Sequence, residues 1–179
     1  MTIADEREAP AGALAPAGPP PAETLLLGSL MAWFAAPQEV TRVLALVEDE
    51  DLEDPFHQQI LAAIRSLVAA GRPCDPVTVQ AELMRIGAVS EDHAARRSKR
   101  LMDAVTCNAS DLAGLEYAAV VVASAYRRRY LALAAGLAGF AATQPEAELL
   151  PYLVLVGTQC RSHSERLAQL RGDAPIEPI

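Results

Sequence analysis

The chain has 179 residues, 51% of them apolar but only 4% aromatic, and a formal net charge of −8. That length suits one domain with a tail to spare, and the charge argues against generic affinity for the phosphate backbone, which depends on Lys and Arg neutralising phosphates. An Ala-rich apolar composition with so few aromatics favours closely packed helices over sheets, so an all-α protein is expected.

Residues 1–21 contain Pro10, Pro16, Pro19, Pro20 and Pro21 among alanines, glycines and acids. Proline fixes φ and removes a backbone donor, so this stretch is predicted to be a disordered Pro/Ala-rich arm, either functionless or a partner-binding segment. A globular helical head of about five to six helices is predicted over 22–108. Leu26, Leu27, Leu30, Met31 and Phe34 mark the inward face of its first helix, and Val40, Val43, Leu44 and Val47 that of a second over 38–48. Asp54 reads as an N-cap with Pro55 at the first helical position, opening a helix that buries Phe56, Ile60, Leu61, Ile64 and Leu67 and ends at Gly71. Asp75-Pro76 repeats that start for a helix carrying Val79, Leu83 and Ile86 on one face. Ser90 opens another, with Leu101, Met102 and Val105 inward and Arg96, Arg97, Lys99 and Arg100 outward. That basic cluster is a solvated face or a contact site for acids or nucleic acid.

Residues 109–171 change character. Leu115, Ala119, Val122, Tyr126, Leu133, Leu137 and Phe140 lie close to a seven-residue repeat, with Tyr130 on the same side. Leu149, Leu153, Val156, Cys160, His163, Leu167 and Leu170 then follow at spacings of 4 and 3. Two such seams joined at Thr143-Gln144-Pro145-Glu146, a capping-box pattern, predict a long antiparallel helical hairpin. Pro151 suggests that the regular second helix starts only there. Val120, Val121, Leu131, Leu150, Tyr152 and Leu155 fall off the seam, and Gly136 and Gly139 allow close backbone approach. The hairpin is therefore predicted to be an oligomerisation element, with Val121, Leu131, Leu133, Gly136, Leu137, Phe140, Leu150, Leu153 and Leu155 in the interface of a homo-oligomer, dimer or higher. Residues 172–179 are a predicted flexible tail.

Chemistry-bearing patterns are few. Cys74, Cys107, Cys160, His57, His93 and His163 are scattered without zinc-ligand spacing, and the acids from Glu48 to Asp54 read as a solvated turn, not a calcium loop. Ser162-His163-Ser164 is adjacency in sequence without helical phase for catalysis. No catalytic residue, cofactor or metal is expected. The uncharged apolar run Tyr130 to Thr143 is too short to cross a bilayer and no secretory signal is visible, so a cytoplasmic protein is predicted. Arg127, Arg128 and Arg129 form a second basic cluster, solvated or in contact with a partner's acids.

Three motifs occur in order: Glu23-Thr24-Leu25-Leu26-Leu27-Gly28-Ser29-Leu30, then Asp51-Leu52-Glu53-Asp54-Pro55-Phe56-His57-Gln58-Gln59-Ile60, then Gly71-Arg72-Pro73-Cys74-Asp75-Pro76-Val77-Thr78-Val79 leading to Leu83. With Leu115 to Arg129 as a fourth match, this series resembles the N-terminal domain of DnaB-type replicative helicases over Ala22 to Leu170. The chain departs from that pattern at Leu52, where the family has Phe, and at Ser90 to Arg97, where it has a Gly-Gly pair and an aromatic. No G-x-x-x-x-G-K-(S/T) loop is present, so ATP hydrolysis is not expected, and the resemblance is to a free-standing domain without the motor. It implies a non-catalytic module that self-associates and docks a replicative helicase, a primase or a helicase loader. The competing reading is a nucleic-acid-binding regulator using the clusters at 96–100 and 127–129, for which direct nucleic-acid contact is disfavoured by the net charge.

Overall fold

The computed structural model describes residues 21–32, 35–87 and 91–173. The expectations for residues 1–20, Phe34, Ser90 and residues 174–179 lie outside them. The described residues form seven α-helices and two short 3-10 turns: α1 (Pro21–Leu30), α2 (Pro37–Leu46), a turn at Asp49–Asp51, α3 (Pro55–Ala69), α4 (Pro76–Ile86), α5 (Glu91–Thr106), a turn at Asp111–Ala113, α6 (Gly114–Thr143) and α7 (Glu146–Arg171). The fold is all-α.

Proline opens α1 to α4, where its missing N–H would have no helical partner anyway. The predicted caps form. Asp54 accepts from the Phe56 amide at 2.8 Å, and Asp75 accepts from the Val77 and Thr78 amides at 2.9 and 3.2 Å. Gly71, at φ 65°, adopts the left-handed conformation that ends α3, and the Arg72 amide reaches back to the Leu67 carbonyl at 2.9 Å.

One apolar core joins Leu26, Leu27 and Leu30 of α1 to Val43 of α2, Ile60, Ile64 and Leu67 of α3, and Val121 and Val122 of α6. The head thus closes around the first half of α6. Gly28 marks the closest approach among the glycines, since a Cβ there would lie 2.5 Å from the Ala104 carbonyl oxygen of α5 and 2.8 Å from Sγ of Cys107, just past the end of that helix. The Ala104 contact is backbone and cannot swing aside. Gly28→Ala is therefore expected to lower the unfolding free energy by about 1–3 kcal/mol, read from the urea midpoint.

Several inward assignments shift by a step of helical phase. On α5 the packed stripe is Ala94, Arg97, Leu101 and Ala104, so Met102 and Val105, predicted inward, are exposed, and Arg97, predicted outward, is buried. Its stem lies along the core while Nη1 reaches Gln59 Oε1 at 3.4 Å. Ile86, beyond the last packed turn of α4, is exposed, as is Tyr130 on α6.

The hairpin turns where predicted, but the Thr143 hydroxyl donates to the Gly139 carbonyl instead of forming a capping box. Pro151 is corrected as well. It lies inside α7, which already begins at Glu146. Proline there deprives only the Ala147 carbonyl of its partner, on an exposed stretch open to solvent. With 30 residues, α6 spans about 45 Å and outruns the head. Past Tyr130 its partner among the described residues is α7, with Phe140 stacked on Tyr152 at 4.0 Å between ring centroids.

Candidate interaction surfaces and the head–hairpin junction

The first two motifs meet in the core. Glu23 of α1 is buried; its Oε1 accepts from the Glu53 amide at 2.6 Å, and its Oε2 lies 3.4 Å from the Asp54 amide and 2.7 Å from His57 Nδ1. An acid accepting from two amides serves as a pin, and Nδ1–H is its third donor. His57 is fully buried with no hydrogen-bond partner at Nε2 among the described residues. The third motif is structural too. Glu82 accepts from Ser66, Arg72 and Arg85, and the Arg85 bond, with Ser66 and the two arginine charges, holds its carboxyl down to about 2. Those arginines and Ser66 cover the carboxylate; their own outer faces stay in water, which screens the pairs.

The acidic segment is not the solvated turn expected. Asp51 is completely buried. It accepts from the Glu48 amide at 2.8 Å, from Arg129 Nη1 of α6 at 2.6 Å and from Arg166 Nη1 of α7 at 2.6 Å. Burial alone would raise its pKa, but the Arg166 bond, the Glu48 amide and the charges of Arg166 and Arg129 outweigh it and hold the carboxyl below its usual 3.8. The backbone of this segment is gripped as well. Arg128 donates to the Asp51 carbonyl at 2.8 Å, Arg166 to Leu46 at 2.9 Å, and Arg65 to Leu44 and Val47 at 2.6 and 2.8 Å. Four arginines from three helices thus staple the α2–α3 connection, and three of them come from the hairpin. The sequence signals were a density of acids and an isolated Arg166; their pairing across more than a hundred residues left no local pattern.

Glu48, Asp51 and His163 bring three donor atoms within 4.8 Å of one another. They do not suit a metal ion, because Arg129 and Arg166 already donate to Asp51 and His163, and Arg166 to Glu48. A divalent cation would need those lone pairs and would meet two positive charges.

The basic clusters are largely committed to the chain itself. Arg97 is buried, Arg100 Nε donates to Asp54 at 2.7 Å, and Lys99 pairs with Asp103 at 2.9 Å. Arg100 offsets the burial of Asp54 and, with the Phe56 amide, holds its carboxyl below the usual value. Arg128 and Arg129 face the acidic segment, leaving Arg96 and Arg127 exposed.

Of the residues predicted for an oligomer interface, Val121 is corrected: it is only 2% exposed, packed between hairpin and head, and has no surface to offer a second copy. Leu133, Leu137 and Phe140 are half-buried on the intramolecular seam. Gly136 is exposed on the backbone, and a Cβ there would stand 3.6 Å from the Tyr152 hydroxyl. Leu131, Leu150, Leu153 and Leu155 are exposed, Leu131 at 74% and Leu150 at 68%, and Val154, not predicted, joins them at 61%. No described helix is long and apolar enough to cross a membrane.

A compact all-α head, pinned by its own motif acids and continued into a hairpin whose far half is apolar and unsupported, defines a class of helical head-and-hairpin domain. Residues 17–123 match the model of the DnaB-like helicase N terminal domain, and the chain belongs to that family. Among solved structures, the N-terminal domain of DnaB helicase from Mycobacterium tuberculosis is similar in fold, with a TM-score of 0.65 and 24% sequence identity over 76% of this chain and 93% of that one. A search of curated proteins gives no match.

Proposed function

We propose that this chain is a non-catalytic interaction module of DNA replication in the cytoplasm, self-associating through its hairpin and docking a replicative helicase, a primase or a helicase loader. The observation that carries this reading is the far half of the hairpin, where Leu131, Leu150, Val154 and Leu155 stand in water with nothing of the described head against them. Apolar surface gathered on one protruding element suits association. The absence of a phosphate-cradling loop from these 179 residues agrees with a binding role, as does family membership. The direct test is binding of the purified protein to the purified helicase, primase and loader of its host. Retention of at least one supports the proposal, and no binding to any of them at about 50 μM counts decisively against docking.

The regulator reading has less to stand on, because the cationic groups it needs are spent on Asp54, Asp103 and Asp51. Duplex or single-stranded DNA is expected to bind weakly near physiological salt. Each phosphate contact would add about 0.7–0.9 to the slope of log affinity against log salt. Tight, steeply salt-dependent binding that disappears when Arg96, Arg97, Lys99 and Arg100 are changed to Ala would favour the regulator.

A further inference from the structure

The head–hairpin junction contains one titratable ring whose protonation state the packing dictates. His163 Nδ1 lies 2.9 Å from Arg129 Nη1 and within hydrogen-bond reach of Arg166 Nη2. A guanidinium can only donate, so Nδ1 is a bare acceptor and the ring is neutral. The charged groups around it come from each packed element: Glu48 and Asp51 from the acidic segment, Arg129 from α6, and Arg166 from α7 itself. The end of α2 contributes the Leu46 carbonyl, held by Arg166. Two acids face two arginines, and the junction is balanced only while His163 carries no charge.

A proton on Nδ1 would change three things at once. The acceptor becomes a donor pointed at two guanidinium groups, a third positive charge enters a partly buried site, and the ring gains its own claim on the carboxylates of Asp51 and Glu48. We propose that His163 is a proton-operated release for this junction, its protonation loosening Arg129 and Arg166 from Asp51 and freeing the hairpin from the acidic turn while the helices themselves persist.

The electrostatics support this direction. Burial, then Arg129 and Arg166, lower the pKa of His163 from its usual 6.5 against the smaller opposing pull of Glu48 and Asp51. A histidine whose folded value lies below its unfolded value contributes stability that is full above 6.5 and is lost as pH falls through the folded value. Asp51, held below its usual 3.8, stays ionised between about pH 7.5 and 5.5, so a change in that range is not its own protonation.

The test is amide hydrogen exchange of the full chain, corrected for intrinsic rates, between about pH 7.5 and 5.5, with His163→Gln as the variant that has an acceptor but no proton to gain there. In the wild type, exchange at the Asp51 and Leu52 amides, which bond to Glu48 and Asp49 across the 3-10 turn, should rise severalfold on acidification. The variant should show no such rise. Equal acid sensitivity in both proteins overturns the proposal, because its source would then lie outside His163. Should His163→Gln fail to fold, the ring signals of the wild type decide by NMR. A His163 transition below 6.5 in step with the Asp51 and Leu52 amides supports the release, and a ring that titrates while those amides stay unmoved refutes it.

Discussion

Replacing Asp51 by Ala is expected to cost about 3–5 kcal/mol of unfolding free energy, the range for removing one partner of a buried ion pair. The side chain is fully buried, and Arg129 and Arg166, largely covered themselves, would be left facing each other with only Glu48 to share. The loss is more than one contact, since the Glu48 amide also gives up its acceptor. Urea denaturation reads the effect directly. A change below about 1 kcal/mol would mean that Asp51 stabilises no more than a surface pair does. The pH dependence carries a matching sign. Because the folded pKa is depressed, the contribution of Asp51 is complete above 3.8 and disappears as pH falls through the lower folded value. Wild type should therefore lose more stability than Asp51→Asn on acidification below that point.

The second large effect is expected at Leu131, in assembly and not in folding. If the far half of the hairpin is covered by a second copy, Leu131→Asp places an unpaired carboxylate in that contact, at a cost of several kcal/mol. About 3 kcal/mol weakens association by roughly two orders of magnitude. The same change leaves the single chain nearly untouched, because Leu131 is 74% exposed there and only the helix propensity of Asp, about 0.5 kcal/mol worse, acts on α6. Sedimentation at about 30 μM should thus show an oligomeric wild type and a folded, monomeric variant. A monomeric wild type would remove the basis for hairpin-driven assembly. Leu133 and Leu137 are poorer test positions, since their seam lies within the chain.

These two expectations divide the hairpin into two parts. Its base is anchored, with Val121 and Val122 in the core and Arg128, Arg129 and Arg166 on the acidic turn. Its far half is held, among the described residues, by α6 against α7, through contacts such as the Phe140–Tyr152 stack. Asp51 and His163 sit where the hairpin meets the head.

Much of this molecule was determined by signals local in sequence. Proline after Asp at 54–55 and 75–76 specifies two helix starts, because cap and fixed φ act within a single turn. The seams at spacings of 3 and 4 specify the hairpin, since helical period alone puts those residues on one side. The ordered motifs led to the family, and the structure explains why they travel together: Glu23 pins Glu53, Asp54 and His57 across some thirty residues. What only the tertiary structure decided is where charge goes. Asp51 and Arg97 read as surface residues because a carboxylate or guanidinium normally costs too much to bury. Each is buried because partners distant in sequence meet it, Arg129 and Arg166 for Asp51 and Gln59 for Arg97. Val121 departs from its expected place for the same reason. Its apolar side chain asks to be covered, and periodicity does not say whether the cover is another copy or, as in the fold, the head of its own chain.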